Sequence, residues 1–245
     1  MPVFHARPGQ VAYGYPIGIL CAEWHIPFIP GDLNNAYTFD FPVRYLSVKG
    51  AAGANVLSGD DSHFVDLFVK AAQQLEQEGV RAITGNCGFM ASYQQAVADS
   101  VRVPVFMSSL LQVPMLVRML SADHKLAVLV ANGPSITDEL LAAVGITEVD
   151  RVVFQGLDHQ PHWNDVILKE TGVLDSDRIR AEVVETALDL LKREPSIGAF
   201  MLECSDLPPY SAAIHEATGL PVFDWAGFIR YVHDAVVPRT YSGLF

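Results

Sequence analysis

The chain has 245 residues, half of them hydrophobic, and its 16 Lys+Arg against 28 Asp+Glu leave a formal charge of -12. So acidic a surface repels phosphate backbones and anionic lipid, which argues against nucleic-acid binding and membrane-surface roles. No apolar run approaches the roughly 20 residues that span a bilayer. The three cysteines are too few for a disulfide framework, and the start MPVFHARPGQ lacks the pattern of a signal peptide, so a cytoplasmic location is expected.

Short apolar runs alternate with amphipathic stretches, the pattern of an α/β fold with mainly parallel sheets. Residues 16–23 read as the first strand. Residues 24–61 are rich in Pro, Gly and Asn, with a β-prone island at 43–48, and are too long for an idle connection. A helix comes next over 62–78, where Phe64, Leu67, Phe68, Ala71 and Leu75 recur at the 3.6 period. Strand 80–85, helix 90–100, strand 103–107 and helix 109–120 succeed it, Pro114 being expected to kink the last or mark a late start. Strand 125–131, helix 137–144, strand 152–155, helix 178–193 and strand 198–202 continue the alternation. Helix 210–218, strand 221–223 and helix 225–236 close the series.

The chain also repeats itself. A shift of 117 residues lays 82–106 on 199–223 without a gap, pairing Ala82 with Ala199, Cys87 with Cys204, Tyr93 with Tyr210, Ala96 with Ala213, and Pro104, Val105 and Phe106 with Pro221, Val222 and Phe223. Two strand–Cys–helix–strand units of this likeness point to a duplicated architecture. The expected architecture is two α/β lobes of comparable build. Residues 1–122 would form the first lobe, with 225–245 packing back on it, and 123–224 the second.

Cys87 and Cys204 fall at the carboxyl ends of strands, where open α/β sheets bind ligands. A helix beginning there would favour thiolate over thiol and offer backbone N–H groups to a carboxylate. If the halves are related by an approximate twofold, one sulfur can accept a proton and the other donate one across a single carbon. Asn86, Ser205 and the backbone N–H groups of Gly88 and Phe89 are the expected substrate contacts, with Asn35 and Thr38 of the long first loop as further polar candidates. Tyr93 and Tyr210 read as shared packing, and Cys21, without a repeat partner, as core or pocket wall. His159 and His162, flanked by carboxylates, could bind a transition metal, but Pro161 between them argues against one helical face carrying both, so no metal is expected.

With Asn86-Cys87-Gly88 in the first half and Glu203-Cys204-Ser205 in the second, the sequence resembles the aspartate/glutamate racemase superfamily, which includes hydantoin racemases, maleate isomerases and arylmalonate decarboxylases. The resemblance implies two pseudosymmetric three-layer α/β lobes with the active site in the cleft between them. It implies a cofactor-independent racemase or epimerase acting next to a carboxylate, with Cys87 and Cys204 as its two proton-transfer groups. It also implies a small carboxylate substrate, no cofactor, and an assembly that could be a homodimer. Ser205-Asp206 stands where amino-acid racemases carry Thr-His or Thr-Glu, and the 24–61 stretch replaces a short polar turn. A lyase, decarboxylase or cis–trans isomerase on the same scaffold therefore stays open, as does a small-acid binding protein without chemistry.

Overall fold

A computed structural model describes residues 3–53 and 62–244 of the chain. Its first sheet is built from β1 (Ile17–Glu23), β2 (Val43–Ala52), β3 (Ala82–Gly85) and β4 (Val105–Phe106), all parallel, in the order β2-β1-β3-β4. The second is built from β5 (Lys125–Val130), β6 (Val152–Gly156), β7 (Ile197–Leu202) and β8 (Val222–Phe223), parallel in the order β6-β5-β7-β8. The order is the same in both, each strand of the second sheet answering the strand four earlier. This is the two-lobe α/β architecture expected from the repeat. Continuous apolar runs such as IGIL and KLAVLV make these strands because both faces are covered by helices.

Helices α1 (Ser62–Gln77), α2 (Gln94–Ser100) and α3 (Val113–Met119) belong to the first half. Helices α4 (Asp138–Ala143), α5 (Ser176–Arg193) and α6 (Ser211–Thr218) belong to the second. α1 buries Phe64, Phe68, Ala72 and Leu75. Gly18 of β1 lets Leu75 close on the sheet, since a Cβ there would lie 2.8 Å from its Cδ1. α5 starts where Asp175 accepts from the N–H groups of Asp177 and Arg178, satisfying donors that the first turn leaves free. The last helix, α7 (Trp225–Val236), returns to the first sheet. Trp225, Ala226 and Ile229 pack with Ile17, Ile19, Ala82 and Phe106, and Trp225 Nε1 donates to Thr84 Oγ1. No helix among the described residues is long and apolar enough to cross a membrane.

Several local expectations change. The helix expected from residue 90 begins instead as a 3₁₀ segment, Gly88–Tyr93, and that expected from 109 as Ser109–Gln112. Pro114 kinks nothing, because it lies in the first turn of α3, where its missing N–H has no intrahelical partner to lose. The island at 43–48 lengthens into β2 and covers the edge of β1. Residues 54–61 of the long stretch lie outside the described residues.

Candidate active site

Both cysteine turns leave the carboxyl ends of their strands and face one another. Cys87 lies just past β3 and Cys204 just past β7, and both line one narrow cavity with Trp24, Ile26, Phe28, Asn86, Phe89, Glu203 and Asp206. Its free space is only ≈ 20 Å³, about enough for one water molecule, so a substrate must part the walls. A larger hollow of ≈ 770 Å³ lies at the amino ends of the first sheet, by Pro16, Pro42, Arg81 and Val103. It contains neither cysteine and sits at the wrong end of the strands for this chemistry.

Direct bonds hold the turns together. Ser205 Oγ donates to the Asn86 carbonyl at 2.8 Å, Ser109 Oγ to the Glu203 carbonyl at 2.7 Å, and the Leu33 N–H to the Ser205 carbonyl at 3.3 Å. Next in sequence to the lining residues Trp24 and Ile26, His25 of the first half donates its N–H to the Glu170 carboxylate of the second at 2.6 Å. Glu170 holds a left-handed backbone (φ 52°) to do so, a conformation that costs a non-glycine residue about 1 kcal/mol or more.

Burial pushes both thiols up, and the nearby carboxylates push them further: Glu203 then Asp206 for Cys87, Asp206 then Glu203 for Cys204. This reverses the direction expected from helix dipoles. Cys87 is followed by a short 3₁₀ segment and Cys204 by a turn with a 3₁₀ segment only from Pro208, and desolvation outweighs the N–H groups of Phe89 and Met90 aimed at Cys87. The resting cysteines are thiols. Cys204 has a proton acceptor at hand, for its Sγ donates to Asp206 Oδ2 at 3.3 Å.

Three buried polar atoms of the residues lining this cavity have no partner among the described residues, Asp206 Oδ1 being one. Asn86 anchors its Oδ1 on the Ala22 N–H at 2.9 Å, but its buried Nδ2 donates to nothing there. Glu203 accepts the Ala131 N–H with Oε2 at 3.1 Å, leaving buried Oε1 bare. Burial raises the Glu203 carboxyl to about 7, so at neutral pH it can be a hydrogen-bond donor. A donor amide and a protonable acid in one dry wall can receive an oxyanion.

Of the other expected contacts, Gly88 and Phe89 lie at the cavity or beside it, while Ser205 spends its hydroxyl proton on Asn86. Asn35 and Thr38 are not among its lining residues. Asn35 donates to the Phe28 carbonyl and accepts from the Tyr37 N–H, and Thr38 accepts from the Gly31 N–H and donates to the Asp32 carbonyl. They fasten the loop rather than face the cavity. His162 Nε2 accepts the Asp175 N–H at 2.9 Å and His159 is exposed. No group of three metal-binding side chains occurs among the described residues. Cys21 lies under α7 with its thiol raised to about 12 by burial. Sequence reading missed Asp32, Asp206 and the donor role open to Glu203, all of which depend on burial rather than on motif.

The paired parallel sheets with a cysteine turn at the carboxyl ends of each have the fold of the aspartate/glutamate racemase superfamily. Unliganded arylmalonate decarboxylase superposes with a TM-score of 0.55 at 14% identity, covering 91% of this chain and 92% of that one. Allantoin racemase from Pseudomonas fluorescens gives 0.57 at 15%, covering 94% and 100%. No protein-family model matches the chain. Sequence relatives are more specific: the chain is 30% identical over 213 residues to a dimethylsulfoniopropionate lyase of Durusdinium sp. clade D, covering 85% of this chain and 70% of that one. It is 32% identical over 217 residues to dimethylsulfoniopropionate lyase 3 of Emiliania huxleyi (strain CCMP1516), covering 85% of this chain and 56% of that protein. The chain belongs to the dimethylsulfoniopropionate lyase family, and it is an enzyme on a racemase fold.

Proposed function

We propose that the chain is a lyase that eliminates dimethyl sulfide from dimethylsulfoniopropionate, leaving acrylate, rather than the racemase its motifs suggest. The observation that carries this is the cavity wall. It presents two carboxyl side chains, Glu203 and Asp206, with the rings of Trp24, Phe28 and Phe89, and no Lys, Arg or His among its described residues. A cation-poor, acidic and aromatic wall favours a substrate bearing a positive charge of its own. A sulfonium donates no hydrogen bonds, so aromatic faces suit it where an ammonium would demand several acceptors. The relatives from Durusdinium and Emiliania huxleyi are lyases of such a compound.

The chemistry uses the groups in place. Asp206 takes the proton of Cys204, a transfer made easier when a cation enters and offsets the negative charge. The thiolate then removes the proton on the carbon next to the carboxylate. That C–H pair becomes the new C=C bond, the adjacent C–S bond breaks, and sulfur leaves with its bonding pair as neutral dimethyl sulfide. The substrate proton ends on Cys204, the negative charge on acrylate, and Asp206 gives the proton it took to solvent, which restores the starting state. Asn86 Nδ2 and protonated Glu203 would hold the substrate carboxylate as negative charge builds on it. Departure of the sulfide replaces the second protonation a racemase needs.

The test supplies dimethylsulfoniopropionate and measures dimethyl sulfide in the headspace and acrylate in solution. Both should form in equal amounts and vanish with Cys204→Ser. Racemisation is the second reading, favoured by Cys87 and Cys204 sharing a cavity. Inversion of a chiral small acid with solvent deuterium at the inverted carbon, and no sulfide released, would replace the proposal with it.

A further inference from the structure

Among the described residues, Asp32 is the buried acid of the site region that the elimination leaves without a task. It is 1% exposed, far from the usual place of an aspartate. The loop that carries it is clamped on both sides. Thr38 bonds the Asp32 carbonyl and the Gly31 N–H. Leu33 bonds Ser205, and a Cβ on Gly31, which sits at φ 103°, would lie 3.0 Å from Pro209. The loop is thus pressed against the second cysteine turn. One Asp32 oxygen, Oδ1, accepts the Asn34 N–H at 2.7 Å, and the carboxyl lies near enough to Asp206 to feel its charge.

Asp206 shows the complementary pattern. Its Oδ2 takes the Cys204 thiol at 3.3 Å. Its Oδ1 is buried, and no N–H or hydroxyl among the described residues reaches it. Two carboxylates cannot bond each other unless one carries a proton. We infer that Asp32 is a positioning residue of this site: as the neutral acid it donates to Asp206 Oδ1, and so keeps Asp206 as the carboxylate that takes the Cys204 proton.

The surroundings agree on which acid holds the proton. Burial and the charge of Asp206 hold the Asp32 carboxyl well above the carboxylate range. The other titratable groups that feel the pair are Cys21, Tyr45, Cys87, Glu203, Cys204 and Tyr210, all of them acids. The nearby cations are engaged elsewhere: Arg230 donates to the Thr38 carbonyl and Arg180 pairs with Asp177. Without the Asp32 donor, Asp206 Oδ1 would stay buried with no hydrogen bond, and the carboxyl would be held less firmly toward the Cys204 thiol. The relay runs Asp32–OH to Asp206 to Cys204, and no atom of it belongs to the substrate.

The inference deepens the site on which the elimination reading rests, but it is tested without substrate. Cys204 alkylation by iodoacetamide, monitored across pH by peptide mapping, reads its thiolate directly. Asp32→Asn keeps a donor toward Asp206 and an acceptor for Asn34, whereas Asp32→Leu keeps neither. At neutral pH the Asn chain should label Cys204 within about threefold of the native rate and the Leu chain at least about tenfold slower, one pK unit or more. Cys87 labelling should change little in both. Equal slowing by Asn and Leu, or native labelling in the Leu chain, would overturn the assignment.

Should the Leu chain not fold, infrared spectroscopy decides. In a Glu203→Gln background at neutral pH, the C=O stretch of a protonated carboxylic acid should be present, and Asp32→Asn should remove it. A band that survives Asp32→Asn would equally overturn the inference. Neither readout depends on the lyase assay, so the two readings fail separately.

Discussion

The Glu203 carboxyl is packed against the Cα of Gly88, so closely that a Cβ added there would fall 1.7 Å from Oε1. The residue after one cysteine is thus shaped by the residue before the other. Gly88→Ala should push the Glu203 carboxyl out of place and overpack a buried turn, at a cost of about 1–3 kcal/mol. We expect a lower melting temperature and at least about a tenfold loss of turnover. A chain that melts and turns over like the native protein would show that Glu203 can move without consequence.

Glu203 also ties stability to pH. Its carboxyl rises from 4.5 to about 7 in the folded protein, so folding favours the protonated form. The stabilisation is full below about 4.5, is lost as pH rises toward 7, and is absent above. A shift of that size corresponds to about 3 kcal/mol. Unfolding by urea should show native stability falling across this window by more than in Glu203→Gln, whose amide does not titrate. Identical slopes in the two chains would refute a raised Glu203.

Asn86 divides its two functions between its two atoms. Asn86→Asp keeps an acceptor for the Ala22 N–H but loses the free donor and adds negative charge where the substrate carboxylate would rest. KM for dimethylsulfoniopropionate should rise by at least about tenfold, the worth of one charge-assisted hydrogen bond. The backbone bond from Ala22 should survive, as judged by slow amide exchange at that position. An unchanged KM would mean that the substrate carboxylate rests elsewhere.

The fold was legible in the sequence because it rests on coarse signals. Apolar runs such as KLAVLV mark buried parallel strands, and the 117-residue offset reveals that the sheet is built twice. The cysteine turns were legible for the same reason. Loop side chains were not: Asn35 and Thr38 carry the right atoms for a substrate, yet in place they satisfy their own loop's backbone. The charge state of the sulfurs was misread because a dipole argument needs a long helix, whereas Cys87 leads into a short 3₁₀ segment and Cys204 into a turn, both in a dry, acidic setting. Asp32 and Asp206 stand 174 positions apart in the chain, and nothing local in either stretch announces that they meet.

The bond from His25 to Glu170 ties the two halves together beside the cavity with a single carboxylate held in a strained backbone. Glu170→Gly would remove the carboxylate and the strain together. Alkylation of Cys87 and Cys204 should then speed up several-fold, because the walls part more often. Rates unchanged from native would mean that access runs by another route.

The two halves repeat in strand order, but their chemistry is not repeated. Among the described residues, only the sulfur of Cys204 has a carboxylate to take its proton, and Cys87 faces the same cavity without one. An active site with its base on one side is handed. Under the proposed elimination it must distinguish the two hydrogens on the substrate's CH₂ beside the carboxylate, although that carbon is not a stereocentre. A substrate carrying deuterium in one of those two positions should yield acrylate that has lost the label entirely, and its mirror-labelled partner acrylate that has kept it.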